Sequence, residues 1–175
     1  MKRLFATACL ISAASAAEVV IDFEETTIGK PVPTWTEKGV VFALAEAPKN
    51  TKAVGRVMFF PHLTTSHKGL LNAMANEQAI PVQARFPMSV TSVTIKFWAS
   101  TGCAARLQAL DQNDQVVDTA SVAVAPGRNA PEDPVPIFEL TVKGVGIASI
   151  RFSGPRNGEF LAADEVRFTP ATTTK

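Results

Sequence analysis

The sequence has no tyrosine, only two tryptophans and only two cysteines. The missing tyrosine weighs against a strong, flat polysaccharide-binding surface, because a pyranose face stacks on an exposed ring while polar neighbours bond its hydroxyls. The cysteines exclude a disulfide-stapled domain. Cys9 lies in an N-terminal stretch that reads as a leader, which leaves Cys103 alone. Stability must then come from a core, a bound ion, or both.

Long hydrophobic runs are also lacking. The start, "MKRLFATACLISAASAAEV", has two basic residues, a short apolar stretch from Leu4 to Ile11, and the small-x-small pattern Ala14-Ser15-Ala16. That stretch is far short of the roughly 20 residues a membrane span needs. Residues 1–16 are therefore expected to be a signal peptide, and the mature chain to be secreted or periplasmic. Cys9 does not read as a lipid anchor, since Phe5 to Ala8 lacks the usual leucine three residues ahead of it. Cleavage would leave 15 basic against 16 acidic residues, turning a net charge of +1 into −1. A near-neutral chain without basic clusters argues against nucleic acid and anionic membrane as partners, and no membrane insertion is expected.

Helical periodicity is nearly absent. Only "HKGLLNAMANEQ", from His67 to Gln78, suggests one short helix, and Gly69 argues against it. The dominant period is two. In "SVTSVTIKFWAS", Val93, Ile95 and Phe97 share one face while Thr94, Lys96 and Trp98 share the other. "PIFELTV" and "ASIRF" alternate likewise, as half-buried antiparallel strands do. Further strands are expected in "VVIDF", "GVVFALA", "VGRVMFF", "IPVQARF", "ARLQAL" and "QVVDTASVAV". Turn signals separate them: "STG" before Cys103, "DQND" at 111–114, "APGRNAPEDPVP" at 125–136 and "GPRNG" at 154–158. These features predict an all-β, antiparallel β-sandwich of jelly-roll type, with long loops and at most one short helix. It would be one domain over residues 17–170, with a flexible tail at 171–175.

Catalytic signatures are missing too. His62 and His67 stand five apart in an expected loop, without a cysteine nearby or an HExxH pattern, and read as solvated. Cys103 follows a turn with no local base and reads as a small apolar residue. There is no GxSxG elbow, and "TIGKPV" has too few glycines for a phosphate loop. Asp111, Asp114 and Asp118 read as a turn with a solvated face rather than an acid/base pair. No catalytic activity is expected.

What is present is an acid at each end of the fold, in a register that should face the core. Continuing Val19, Ile21 and Phe23 brings Glu25 to the same side. In "FLAADEVRF", Phe160, Ala162, Val166 and Phe168 share a face on which Asp164 falls. A carboxylate there is costly unless it is paired, hydrogen-bonded or coordinating a cation.

The "IDFE" opening, a loop containing Gly29, Pro31 and Pro33, the "GVVF" strand and the closing "DEVRF" strand resemble secreted bacterial jelly-roll modules. These are the galactose-binding-like domains that include many carbohydrate-binding modules. The resemblance implies that the first and last strands lie together and that acids from both help hold a structural calcium. On it, Glu24 takes the first ligand position and Asp164 the second, with Glu165 as a further candidate. The family usually has glycine directly after the glutamate, where this chain has Glu25, so which glutamate turns inward stays open. Calcium wants six to eight oxygens, so carbonyls of the 26–40 loop would complete its shell. The alternative is that Asp164 caps backbone amides or pairs with Arg167 or Arg151.

For a ligand, Trp35, in the loop expected after the first strand, and Trp98 are the candidate platforms. Each has a packing role as its alternative: Trp35 as a plug over the sandwich end, Trp98 against a neighbouring strand. The expectation is an exported, non-catalytic module binding an extracellular glycan or another envelope component. The alternative is an envelope structural or protein-interaction domain that binds no sugar; the low aromatic count favours it.

Overall fold

The computed structural model describes residues 16–27, 34–45, 56–59, 68–71, 73–75, 78–99, 104–127, 130, 133, 136–154 and 161–172. Twelve strands and no helix occur among them: β1 (Val19–Ile21), β2 (Thr34–Glu37), β3 (Val40–Leu44), β4 (Arg56–Phe59), β5 (Lys68–Leu71), β6 (Ala73–Ala75), β7 (Gln78–Ile80), β8 (Val82–Ala99), β9 (Ala105–Leu110), β10 (Val116–Val122), β11 (Phe138–Ser153) and β12 (Leu161–Pro170). The stretch from His67 to Gln78 contributes β5, β6 and the start of β7 rather than a helix. Its glycine and asparagines disfavour a helix, and pairing with neighbouring strands decides the outcome.

All pairings are antiparallel, and two long strands organise them. The first part of β8 pairs with β3 (Val41↔Arg85) and with the last part of β11 (Ile150↔Ala84). Its second part pairs with the first part of β11 (Val142↔Val93) and with β12 (Val166↔Ile95). Register shifts between Lys143 and Ser149 mark where both strands bend, as bulges do at sandwich corners. The sequence reads "IPVQARF" and "SVTSVTIKFWAS" as separate strands, but each continues through the bend into the next; so do "PIFELTV" and "ASIRF".

One layer thus carries β2, β3, the start of β8, the end of β11, β9 and β10. The other carries the start of β11, the end of β8, β12, β5 and β4, with β1 beside β12. β6 and β7 form a separate two-stranded ladder. The core lies between the layers. Phe42, Val82, Leu107, Ile150 and Phe152 come from the first, and Ile21, Leu70, Val93, Ile95, Phe97, Val142, Val166 and Phe168 from the second. The rings of Phe23 and Phe42 meet edge-on at 5.6 Å between them. The β2–β3 hairpin turns on Lys38 and Gly39, at φ of 46° and 80°, the left-handed pair that tight two-residue hairpins require. In the tail, the amide of Ala171 donates to the Ser89 carbonyl at 2.9 Å.

Candidate functional site

The two ends of the domain lie side by side. β1 pairs with β12 from Val19↔Phe168 to Ile21↔Val166. On the same edge of β12, β5 takes over at Leu70↔Ala163 and Leu71↔Ala162. Asp164 and Glu165 fall in the gap between the two partners. The chain leaves β1 sharply, because Phe23 has a left-handed φ of 60° and its carbonyl accepts the Thr26 amide at 3.1 Å. Phe23 itself is wholly buried. The two glutamates after it are exposed turn residues, so Glu25 does not continue the inward register of Ile21 and Phe23. The turn interrupts the alternation one residue too early.

Glu24 instead reaches across to β5. Its Oε1 accepts the Lys68 amide at 3.1 Å. The Lys68 ammonium donates back to the Glu24 carbonyl and, at 3.2 Å, to the Thr26 carbonyl. The Thr26 hydroxyl donates to Glu37 Oε2 at 3.2 Å. Burial pushes the Glu37 carboxyl above its ordinary range, with the Thr26 and Phe23 hydrogen bonds pulling the other way.

Asp164 is fully buried. It sits at a register shift between Ala163↔Phe97 and Glu165↔Lys96, a bulge that reverses the parity of the strand. The inward set is therefore Leu161, Ala163, Val166 and Phe168. Ala162 stands opposite Trp98 instead of joining Val166. Glu165 is turned to the outer face, where its Oε1 lies 3.1 Å from Lys96 Nζ and 3.0 Å from Arg167 Nε. Of the four expected ligands, the strand register thus brings Glu24 and Asp164 to one junction, leaves Glu25 exposed and engages Glu165 with two cations. Among the described residues, no group of three or more His, Cys, Asp and Glu is placed to hold a metal ion. His62, His67 and Cys103 lie outside the described residues.

The outer face of the second layer forms a separate feature. Thr94, Lys96 and Trp98 alternate outward along β8, with Phe97 inward. Glu139 and Thr141 flank them from β11, and Ala162, Glu165 and Arg167 from β12. Arg167 also pairs with Glu139 across β8, and the Thr94 and Thr141 hydroxyls lie 2.9 Å apart. Two acids and two bases balance one another beside a half-buried indole. The side chains of Lys96 and Glu165 are 19% and 17% exposed and that of Glu139 49%, so the network is held in place and opens toward β11.

Trp35 is not in a loop. It is in β2, opposite Phe42 of β3, on the other layer from Trp98, and among the described residues no ladder brings the two together. At the β9–β10 turn, Asp111 Oδ1 accepts the amides of Asn113 and Gln115 at 2.8 and 2.9 Å. The Gln115 and Asn113 amides hold this carboxyl below its ordinary value. Asp114 is 3.4 Å from Arg85, and Asp118 Oδ2 accepts the Lys143 amide at 2.8 Å. The three aspartates are turn and strand fasteners.

No family model and no curated protein matches the chain. Among solved structures, it is similar to the K2 cleaved adhesin domain of Lys-gingipain, with a TM-score of 0.58 and 13% identity over 89% of this chain and 99% of that one. The K1 cleaved adhesin domain of the same protein, from Porphyromonas gingivalis W83, gives 0.57 and 10% over the same shares. An arabinose-bound α-L-arabinofuranosidase gives 0.51 and 10% over 92% of this chain but 28% of the enzyme. At such identities the likeness is one of fold alone, that of an all-β sandwich.

Proposed function

We propose that the protein is an exported, non-catalytic module that binds an uncharged extracellular glycan on the outer face of its second layer. The observation that carries this is Trp98, aligned with Lys96 and Thr94 on β8 beside the Glu139–Arg167–Glu165–Lys96 network. A sugar ring stacks on an indole while oriented carboxylate and guanidinium groups take its hydroxyls. Because the network has equal numbers of acids and bases, it suits a neutral sugar better than a uronic acid or a sulfated one. Trp35 remains a second candidate, at the edge of the other layer.

A pull-down of the mature chain on insoluble polysaccharides, with an array of soluble glycans, tests this. Retention by at least one neutral glycan, lost in Trp98→Ala, supports the module. No retention across the panel favours an envelope structural or protein-interaction domain. That second reading draws on the two tryptophans and absent tyrosine, and on the adhesin domains among the similar structures. For the junction of β1, β5 and β12, calcium is the ion expected from the family resemblance. The residues there do not fit it, because the Lys68 ammonium already lies on the Glu24 and Thr26 carbonyls.

A further inference from the structure

We propose that the cation at the junction of the first and last strands is the ammonium of Lys68, built into the chain where related folds are expected to recruit calcium. This inference is independent of the glycan site.

The contacts that support it belong to one residue. The Lys68 amide is fixed on the Glu24 carboxylate at 3.1 Å. The same residue's ammonium lies on the main-chain carbonyls of Glu24 and of Thr26, the latter at 3.2 Å. These carbonyls belong to the turn that follows β1, the segment whose oxygens would complete a calcium shell. An ammonium has three donors and no acceptor. Two of the three are met by these carbonyls, while the residue's own amide takes the Glu24 carboxylate. A second lysine repeats the device on β1 itself: Lys38 Nζ donates to the Val20 carbonyl at 2.5 Å. The exit of β1 is thus fastened by cations from the β2–β3 hairpin and from β5.

Calcium has different requirements. It needs six to eight oxygens at 2.3–2.6 Å, commonly with several carboxylates. Here Glu25 is exposed, Glu165 is held by Lys96 and Arg167, and two carbonyls carry the lysine. A divalent ion entering the junction would have to expel a tethered charge of its own sign. The lysine is also already positioned by β5, whose pairing with β12 at Leu70↔Ala163 begins two residues on.

The test is the melting of the mature chain in chelator and in excess calcium, for wild type and Lys68→Met. The expected result is the same wild-type midpoint in both conditions, and a midpoint about 4 to 10 °C lower for Lys68→Met in chelator, the loss typical of charge-assisted hydrogen bonds in a domain of this size. A wild-type midpoint that rises with calcium and falls in chelator overturns the proposal, as does a Lys68→Met protein as stable as wild type. If that variant does not fold, amine acylation of the wild type decides. An ammonium held on two carbonyls should react at least tenfold more slowly than exposed Lys143, and equal rates would show that Lys68 is not so engaged.

Discussion

The rings of Phe97 and Phe152 lie with centroids 5.5 Å apart and planes inclined at 60°, although Phe97 is in the second-layer part of β8 and Phe152 in the first-layer part of β11. This contact joins the two sheets at the point where both long strands have crossed between them. Phe97 also meets Phe138 at 5.8 Å on its own sheet. Phe97→Ala should therefore cost about 3–5 kcal/mol, the usual range for removing a buried phenylalanine. Phe97→Leu should cost distinctly less. Chemical denaturation of the two variants checks both; an alanine variant within about 1 kcal/mol of wild type would show that this ring does not join the layers.

Glu37 predicts a pH dependence. Its folded pKa is raised above the ordinary 4.5, chiefly by burial, so the folded state holds the proton more tightly than the unfolded chain. The resulting stability is fully present below the ordinary value and is lost as pH rises through the raised one. Glu37→Gln, which can still accept from Thr26, should be more stable than wild type at pH 7, and the difference should close or reverse near pH 4. Melting midpoints at the two pH values decide it; a pH-independent difference contradicts the assignment.

Asp111 predicts the opposite sign. The amides of Gln115 and Asn113 hold its carboxyl below the ordinary 3.8, so its contribution is present above that value and disappears as pH falls through the lowered pKa. Asp111→Asn should flatten the acid limb of the stability profile while leaving the β9–β10 hairpin in place. Equal acid sensitivity in the two proteins would show that this turn does not depend on the charge.

Gly39 tests the hairpin that carries Trp35. Its φ is 80°, and an added Cβ would lie 3.3 Å from Pro87 Cγ. Gly39→Ala should therefore cost at least about 1 kcal/mol. Denaturation would show it, and an unchanged midpoint would place the turn in another conformation.

The alternation of Val93, Ile95 and Phe97 against Thr94, Lys96 and Trp98 was legible because a sheet with one buried face writes its period directly into the chain. The adjacency of the two ends was implied by the family resemblance of the "IDFE" opening and the "DEVRF" close, not by the alternation. What alternation cannot show is an inserted residue. The bulge at Asp164 exchanges the roles of Ala162 and Ala163, and the left-handed turn at Phe23 removes Glu25 from the register it seemed to continue. Neither leaves a local signature, since both arise from which strands share the edge of β12. The strands at Thr34–Glu37 and from Lys68 to Ile80 are only three or four residues long, too short to write a period of two, and are held by their neighbours. Lys68 was missed as a site residue because only pairing brings it, 44 positions away, to Glu24. The "KG" at Lys38-Gly39 was the available hint for the tight β2–β3 hairpin.

Calorimetric titration of the glycan selected from the panel into wild type, Trp98→Ala and Trp35→Ala tests whether the outer face around Trp98 holds a neutral glycan. Trp98→Ala should lose at least about tenfold in affinity, the scale of one good aromatic contact, while Trp35→Ala should bind as wild type does. Affinity that survives Trp98→Ala, or a loss confined to Trp35→Ala, would contradict it and move the site away from β8.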